Sequence, residues 1–295
     1  MRGGRAGGGS ARAGEVSTLT GATSVAGIIG DPVIHSLSPA IHNAAYEAAG
    51  LDWVYVPFPV AEGHVSEALN GMRAMGIRGL SVTMPHKDAA AHGVDLLTER
   101  ARLLGAVNTV VLRDDGTLVG DSTDGQGFLD AVAASHDFDP AGLRCVVLGA
   151  GGAARALVLA LAEAQAEEVI VVNRSPGRAH AAAVLAGPRG RVGSHDDVEE
   201  ADLVVNATPV GMRGHEGEQY PIDPGRLGPG QVAVDIVYHP LVTPFLRQAI
   251  NAGAQAVDGL GMLVHQAAIA FTLWTGVEAP IEAMGAAARR EVGSG

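Results

Sequence analysis

The run Val146-Val147-Leu148-Gly149-Ala150-Gly151-Gly152-Ala153-Ala154-Arg155 joins an apolar segment to a G-x-G-x-x-A turn and an alanine-rich amphipathic stretch. That succession is what a dinucleotide-binding βαβ turn requires. In it Gly149 supplies the tight turn, Gly151 lets the backbone approach a pyrophosphate, and Ala154 permits close packing of helix on strand. A helix opening near Gly152 would turn its unpaired N–H groups and positive dipole end towards the phosphates. With 41 glycines in 295 residues, glycine triplets arise by chance, so the flanks carry the argument. Here a helix from Ala153 to Ala166 and a strand over Glu168–Val172 complete the unit. The alternative is a purely structural glycine turn.

The end of the second strand bears on the choice of dinucleotide. NAD sites place Asp or Glu about 20 residues beyond the glycines, on the ribose 2′-hydroxyl. Here the strand ends in Asn173-Arg174-Ser175, with Arg178 one turn on, while Glu167 and Glu168 sit at the strand's start. A guanidinium offers a 2′-phosphate bidentate, charge-assisted hydrogen bonds, whereas a carboxylate repels it. The pattern favours NADP over NAD. The plainer alternative is that Arg174 caps an exposed strand end.

A hydrophobic content of 47% and a length of 295 residues allow one large or two medium domains with a sizeable core. The formal charge of −12 argues against nucleic acid or an anionic membrane surface as partner, so a phosphorylated cofactor must be met by local Arg and Lys. The single cysteine, Cys145, excludes an intramolecular disulfide and a cysteine-based zinc cage and reads as a core thiol. The eleven histidines show no ligand spacing, and no metal is expected. His42, His86 and His265, beside the motifs, read as supports to the motif side chains or as packing residues. No apolar run approaches the roughly 20 residues of a membrane span. Residues 1–22 lack the apolar centre of a secretory signal and read as a disordered tail, so a cytoplasmic protein is expected.

From Val25 onward short apolar strands alternate with helical stretches, among them strands over Val25–Ile29, Trp53–Phe58 and Gly79–Thr83 and helices over Pro39–Ala49 and Val65–Met75. A hairpin is expected around Asp114-Asp115-Gly116. Repeated βα units imply parallel sheets with helices on both faces, and two such sheets imply two α/β domains with a cleft between.

Four polar motifs decorate the first half: His35-Ser36-Leu37-Ser38-Pro39, Ser81-Val82-Thr83-Met84-Pro85-His86-Lys87, Gly105-Ala106-Val107-Asn108-Thr109 and Gly120-Asp121-Ser122-Thr123-Asp124-Gly125. Each lies at a loop or a strand's carboxyl end, where open α/β sheets place ligands. Together they offer hydroxyls, an amide, an ammonium and a carboxylate, a set suited to a small polyhydroxylated acid. Singly they have plainer readings: Ser38-Pro39 as a helix N-cap with Pro in the first turn, Asp124-Gly125 as a turn, Lys87 as a solvated lysine.

The ordered series S-x-S-P-x-x-H-N, V-T-x-P-x-K, G-A-V-N-T, D-x-T-D-G-x-G-F, G-A-G-G-A, N-R-S, N-A-T-P-x-G-M, D-x-x-Y-x-P and G-x-x-M-L-x-x-Q runs from Val25 to Gly276 and resembles the shikimate dehydrogenase family. The resemblance implies reversible NADPH-dependent reduction of 3-dehydroshikimate to shikimate, a small-molecule substrate and a monomer or homodimer. It implies that Ser36 and Ser38 bind the substrate carboxylate with Tyr238 nearby, and that Thr83, Lys87, Asn108, Asp124 and Gln266 bind the ring hydroxyls. Lys87 and Asp124 match the family's catalytic pair. On the cofactor side, Gly149, Ala150, Gly151, Gly152 and Ala153 match the pyrophosphate turn, and Asn173, Arg174 and Ser175 the grip on the 2′-phosphate. Asn206, Ala207 and Thr208, continuing to Met212, would pass the ribose and nicotinamide, with Gly259 contributing backbone near the nicotinamide. The implied division is a tail over 1–22, a substrate-binding domain over 23–123 completed by C-terminal helices within 264–295, and a Rossmann-type NADP-binding domain over 124–263.

One position departs from the family. Ser81 stands where the family carries Asn, and a serine is shorter and donates one hydrogen bond rather than two. Ser81 therefore touches the substrate directly, through water, or not at all. Rival readings are a quinate/shikimate or aminoshikimate-type relative, a ligand-sensing module without catalysis, and a tetrahydrofolate dehydrogenase of similar plan. The polyol-binding set Ser36, Ser38, Asn108 and Asp124 does not suit a pterin.

Overall fold

In the computed structural model, residues 19–136, 138–212 and 221–293 are described. Residues 1–18 of the expected tail lie outside them. The first half carries β1 (Ser24–Gly30), α1 (Ser38–Ala48), β2 (Trp53–Pro59), α2 (Val65–Met75), β3 (Gly79–Val82), α3 (Lys87–Gly93), β4 (Leu96–Leu97), α4 (Glu99–Leu104), β5 (Thr109–Leu112) and β6 (Leu118–Asp121). Helix α5 (Asp124–His136) leads into β7 (Arg144–Leu148), α6 (Gly152–Glu163), β8 (Glu168–Val172), α7 (Pro176–Ala183), β9 (Gly190–Val192), β10 (Leu203–Asn206), β11 (Val232–Asp235), α8 (Pro244–Asn251) and β12 (Gln255–Val257). Two helices, α9 (Gly259–Thr275) and α10 (Ile281–Gly293), follow.

The strands form two sheets, ordered β2-β1-β3-β5-β6-β4 and β12-β11-β10-β7-β8-β9. The second is parallel throughout. Its central strands are Val-rich and buried on both faces, as a sheet covered on both sides requires. Successive residues of β7 serve opposite faces: Cys145 and Val147 pack with Leu157 and Leu161 of α6, Val146 and Leu148 with Phe245 and Leu246 of α8.

The first sheet corrects the expectation of a wholly parallel arrangement. β1 pairs in parallel with β2 and β3, but β5 runs antiparallel to both β3 and β6. The cause is the hairpin at Asp114-Asp115-Gly116, where Arg113 N–H donates to the Thr117 carbonyl at 2.9 Å and reverses the chain. A tight hairpin can join only antiparallel neighbours.

The two sheets share helices. On α9, Met262 belongs to the core beneath the second sheet, whereas Leu260, Val264, Ala267 and Phe271 join Ile28, Ile41 and Tyr46 beneath the first. Helix α10 packs on α1 and α9. The implied boundary after residue 263 thus falls inside α9, and that after 123 at the start of α5.

Candidate active site

Lys87 opens α3 and Asp124 opens α5, and their side chains meet at 2.5 Å between Nζ and Oδ2. Both are largely buried, with side chains 21% and 10% exposed. The second carboxylate oxygen, Oδ1, accepts from Asn108 Nδ2 at 2.7 Å. Asn108 also donates to Thr123 Oγ1 at 3.0 Å, while its own Oδ1 accepts from Thr123 N–H at 2.8 Å and Thr109 Oγ1 at 2.9 Å. Both amide hydrogens are therefore engaged, and the amide fixes Asp124 in place. Backbone bonds lock these loops: Val82 N–H donates to the Asn108 carbonyl at 2.7 Å and Val107 N–H to the Lys87 carbonyl at 2.9 Å.

Ser36 Oγ accepts from Ser38 N–H at 3.2 Å. The plainer reading of Ser38 as an N-cap is not what forms: α1 begins at Ser38, its cap residue is Leu37, and no side chain caps it. Thr83 sits just beyond β3, with its N–H on the Ile29 carbonyl at 3.0 Å. Gln266, on α9, donates to the Leu263 carbonyl at 2.8 Å and accepts from Thr123 Oγ1 at 3.5 Å, so it joins the Asn108–Asp124 network from the far side. Half-buried Tyr238 packs against the first core, and burial raises its phenol above the ordinary value. Of the histidines, His86 bonds the Val60 carbonyl at 2.7 Å, and His42 is wholly buried among aromatic rings.

The glycine turn takes the form that a dinucleotide diphosphate needs. Gly149 has φ 114°, and a Cβ there would lie 2.8 Å from the Ala207 carbonyl oxygen. A Cβ at Gly151 would meet nothing within 4 Å, so that side of the turn is open. No side chain caps α6, which leaves its first N–H groups facing outward. Ala150 lies between the two glycines and Ala153 in the first turn of α6. At the end of β8, Asn173 Nδ2 donates to the Ser175 carbonyl at 3.1 Å, and Arg174 and Arg178 are exposed. Glu168 lies at the opposite end of that strand, paired with Arg144 at 3.2 Å and Arg191 at 2.5 Å. The residues present therefore fit NADP.

Asn206 is fully buried and folds its own loop. Its Oδ1 accepts from Thr208 N–H at 3.0 Å and Thr208 Oγ1 at 2.6 Å, and its Nδ2 donates to the Val210 carbonyl at 3.1 Å and Asp235 Oδ1 at 3.0 Å. The side chain shapes the Ala207–Met212 segment, where Met212 N–H donates to the Pro209 carbonyl at 3.1 Å. Asp235, which the sequence reading did not single out, is the hub beneath it. It also accepts from Thr243 Oγ1 at 2.7 Å and Val237 N–H at 3.0 Å, and burial pushes its carboxyl up to about 6 against those bonds. Its signal in the sequence is the first position of the D-x-x-Y-x-P pattern, at the carboxyl end of β11. Gly259 lies so close to β11's exit that a Cβ would be 2.4 Å from the Ile236 carbonyl oxygen.

The two halves meet at the chemistry. A Cβ built at Gly152 would stand 3.8 Å from Lys87 Cδ, so the cofactor turn faces the Lys87–Asp124 pair. One residue past Lys87, Asp88 pairs with Arg155 of α6 at 3.4 Å.

Known proteins match this arrangement over nearly its whole length. Residues 28–110 match the shikimate dehydrogenase substrate binding domain, 132–211 the shikimate / quinate 5-dehydrogenase family, and 259–289 the shikimate 5′-dehydrogenase C-terminal domain. A shikimate dehydrogenase (NADP(+)) of Moorella thermoacetica is 45% identical over 92% of this chain and 95% of its own length. The chain belongs to the shikimate dehydrogenase family. Among solved structures of this family, a shikimate dehydrogenase in complex with NADP+ superposes with a TM-score of 0.89 at 36% identity, covering 94% of this chain and 98% of the other. The Thermus thermophilus shikimate 5-dehydrogenase in complex with NADP(H) and shikimate gives 0.85 at 40% identity, covering 91% and 100%. The two-sheet plan and glycine turn read above are thus those of the family.

Proposed function

We infer that this protein catalyses the reversible, NADPH-dependent reduction of 3-dehydroshikimate to shikimate, a step towards the aromatic amino acids, and that Lys87 and Asp124 carry its proton chemistry. The observation behind the reading is the buried Lys87–Asp124 pair set against the glycine turn of the second sheet. The nicotinamide, when bound, supplies or accepts the hydride. The Lys87 ammonium offers charge and a proton to the oxygen that becomes an alkoxide. Asp124 keeps that ammonium in place, and Asn108, Thr123 and Gln266 keep Asp124 in place. In this reading Ser36, Ser38 and Tyr238 receive the carboxylate, Thr83 a ring hydroxyl, and Arg174 with Asn173 and Ser175 the 2′-phosphate.

Initial rates of NADP+ reduction test the reading, with shikimate and quinate as substrates and NAD+ as the competing cofactor. The expected result is the highest kcat/KM for shikimate with NADP+. A higher kcat/KM for quinate would make the protein a quinate/shikimate enzyme, and binding without turnover would make it a sensor. A cytoplasmic location and a monomeric or homodimeric state belong to the same reading; cell fractionation and sedimentation analysis test them.

A further inference from the structure

Tyr55 ends in a hydroxyl that is fully buried and has no hydrogen-bond partner. Everything else about this residue is fixed. Its backbone N–H donates to Asn43 Oδ1 at 2.8 Å and its carbonyl accepts from Asn43 Nδ2 at 2.9 Å, so the amide covers the outer edge of β2. Its ring stacks on His42, centroids 4.3 Å apart and planes 9° from parallel. The phenol therefore cannot swing to water, and His42 satisfies nothing there, because both its ring nitrogens are themselves unbonded. Burial raises the Tyr55 phenol above its ordinary value, so it stays a neutral O–H group.

Two hydroxyls from separate elements come up to it: Ser81 of β3 and Ser38 of α1. Both reach the phenol, Tyr55 and Ser81 lying opposite Ala26 and Ile28 on the two sides of β1, but neither meets it in well-formed hydrogen-bond geometry. Ser38 does not cap its helix. A buried hydroxyl with two hydroxyl neighbours and no well-formed bond has a hydrogen-bond chain within its reach.

We propose that Tyr55 is a positioning residue for the substrate anion, the middle member of a chain in which Ser81 donates to Tyr55, Tyr55 to Ser38, and Ser38 to the carboxylate. Each hydroxyl gives its single hydrogen once, and each acceptor is a hydroxyl or the carboxylate. The anion sets the direction of the chain, and a serine that accepts from a phenol becomes a better donor itself. Ser81 then acts at one remove and does not touch the substrate. The inference rests on the reading that Ser38 receives the carboxylate of shikimate.

The test compares Tyr55→Phe, Ser81→Ala, Ser38→Ala and the double variant Tyr55→Phe/Ser38→Ala by steady-state kinetics, beside the unaltered protein. Loss of one neutral hydrogen bond predicts a KM for shikimate raised about three- to tenfold by Tyr55→Phe, with kcat and the KM for NADP within about twofold. Ser81→Ala should follow in the same direction with a smaller effect. The double variant should be no worse than Ser38→Ala alone, because Tyr55 acts through Ser38. Without substrate, Tyr55→Phe should change the unfolding temperature little, since no well-formed bond is lost. An unchanged KM, multiplicative effects in the double variant, or a lower unfolding temperature with kcat and KM moving together would each overturn the chain. If the unaltered protein turns over shikimate while the variants break the pattern, only this inference falls. If it does not turn over shikimate, the functional reading falls and takes the chain with it.

Discussion

Lys87 and Asp124 are 37 residues apart in the chain and 2.5 Å apart in space. Lys87→Ala should lower kcat by at least about a hundredfold, the lower end of what a positioned proton donor or oxyanion stabiliser contributes. Asp124→Asn keeps the shape and removes the charge, and stopped-flow or steady-state assays should find a comparable loss. The double variant should be far from multiplicatively worse, because groups acting as a unit are not additive. Near-normal turnover by a folded Lys87→Ala protein would remove the pair from the chemistry. At the cofactor end, Arg174→Asp should raise the KM for NADP roughly ten- to a hundredfold, through a lost charge-assisted contact and added repulsion, with kcat at saturation near normal. An unchanged KM would move the 2′-phosphate elsewhere. These residues were legible because each stands in a short polar motif beside a strand end. Tyr55 was not, since it lies mid-strand among apolar neighbours, and Asp235 only in part: its motif was visible, but its role as a hub shows once Asn206 and Thr243 converge on it.

At the scale of elements, α5 and α9 lie in close contact, and Gly127 is the reason they can. A Cβ at Gly127 would come within 2.5 Å of the Gln266 backbone nitrogen. Gly127→Ala should lower stability by about 1–3 kcal/mol in denaturant unfolding, as overpacking does. It should also lower kcat, because α5 begins with Asp124 and α9 carries Gln266. Full activity and stability would show that the helices can part without cost. Asp235 links β10, β11 and the approach to α8, and its pH dependence has a definite sign. A carboxyl raised from 3.8 to about 6 holds its proton more tightly in the folded protein than in the unfolded chain. The folded state is therefore favoured below pH 4 and loses that advantage as the pH climbs towards 6, a change of roughly 3 kcal/mol. Relative to Asp235→Asn, which lacks the titration, the natural protein should lose stability over that window and stay level above it. A constant difference from pH 4 to pH 7.5 would show that Asp235 does not titrate there.

The same scale shows what the sequence could carry. β7, α6 and β8 announce themselves by apolar runs around a glycine turn. The pattern reading names no β4 or β9, two and three residues long, since such stretches are too short to show a period. It also passes over α4 and α8, although Thr98 and Thr243 stand at their starts and accept from Ala101 and Leu246 N–H groups. Those were readable cap signals. The reversal of β5 was implicit in the hairpin, but the prevailing βα rhythm masked its effect on the first sheet.

At the scale of the whole molecule, two ion pairs join the halves near the cleft among the described residues, Asp88–Arg155 and Arg100–Glu163, the latter at 4.0 Å. Asp88 and Arg155 meet across it at 3.4 Å, Asp88 being 71% and Arg155 28% exposed, and Leu104 and Ala106 pack on Ala156 and Leu159. A long pair with one solvated partner contributes about 0–1 kcal/mol. Asp88→Ala should therefore leave the unfolding temperature unchanged and raise the KM for NADP about two- to fivefold, by loosening the hold of α3 on the start of α6, with less effect at high salt. A larger loss, or a fall in unfolding temperature, would give the pair a structural role instead.

The first core joins Ile41 and Tyr46 to Phe271 and Met284, residues from opposite ends of the chain. On the ribosome, the segment that emerges first must wait for the segment that emerges last. The second sheet, contiguous in sequence, has every strand available while α10 is still inside the exit tunnel. The protein that begins with its substrate-facing half should thus finish that half last, holding an unfilled apolar surface through most of its synthesis.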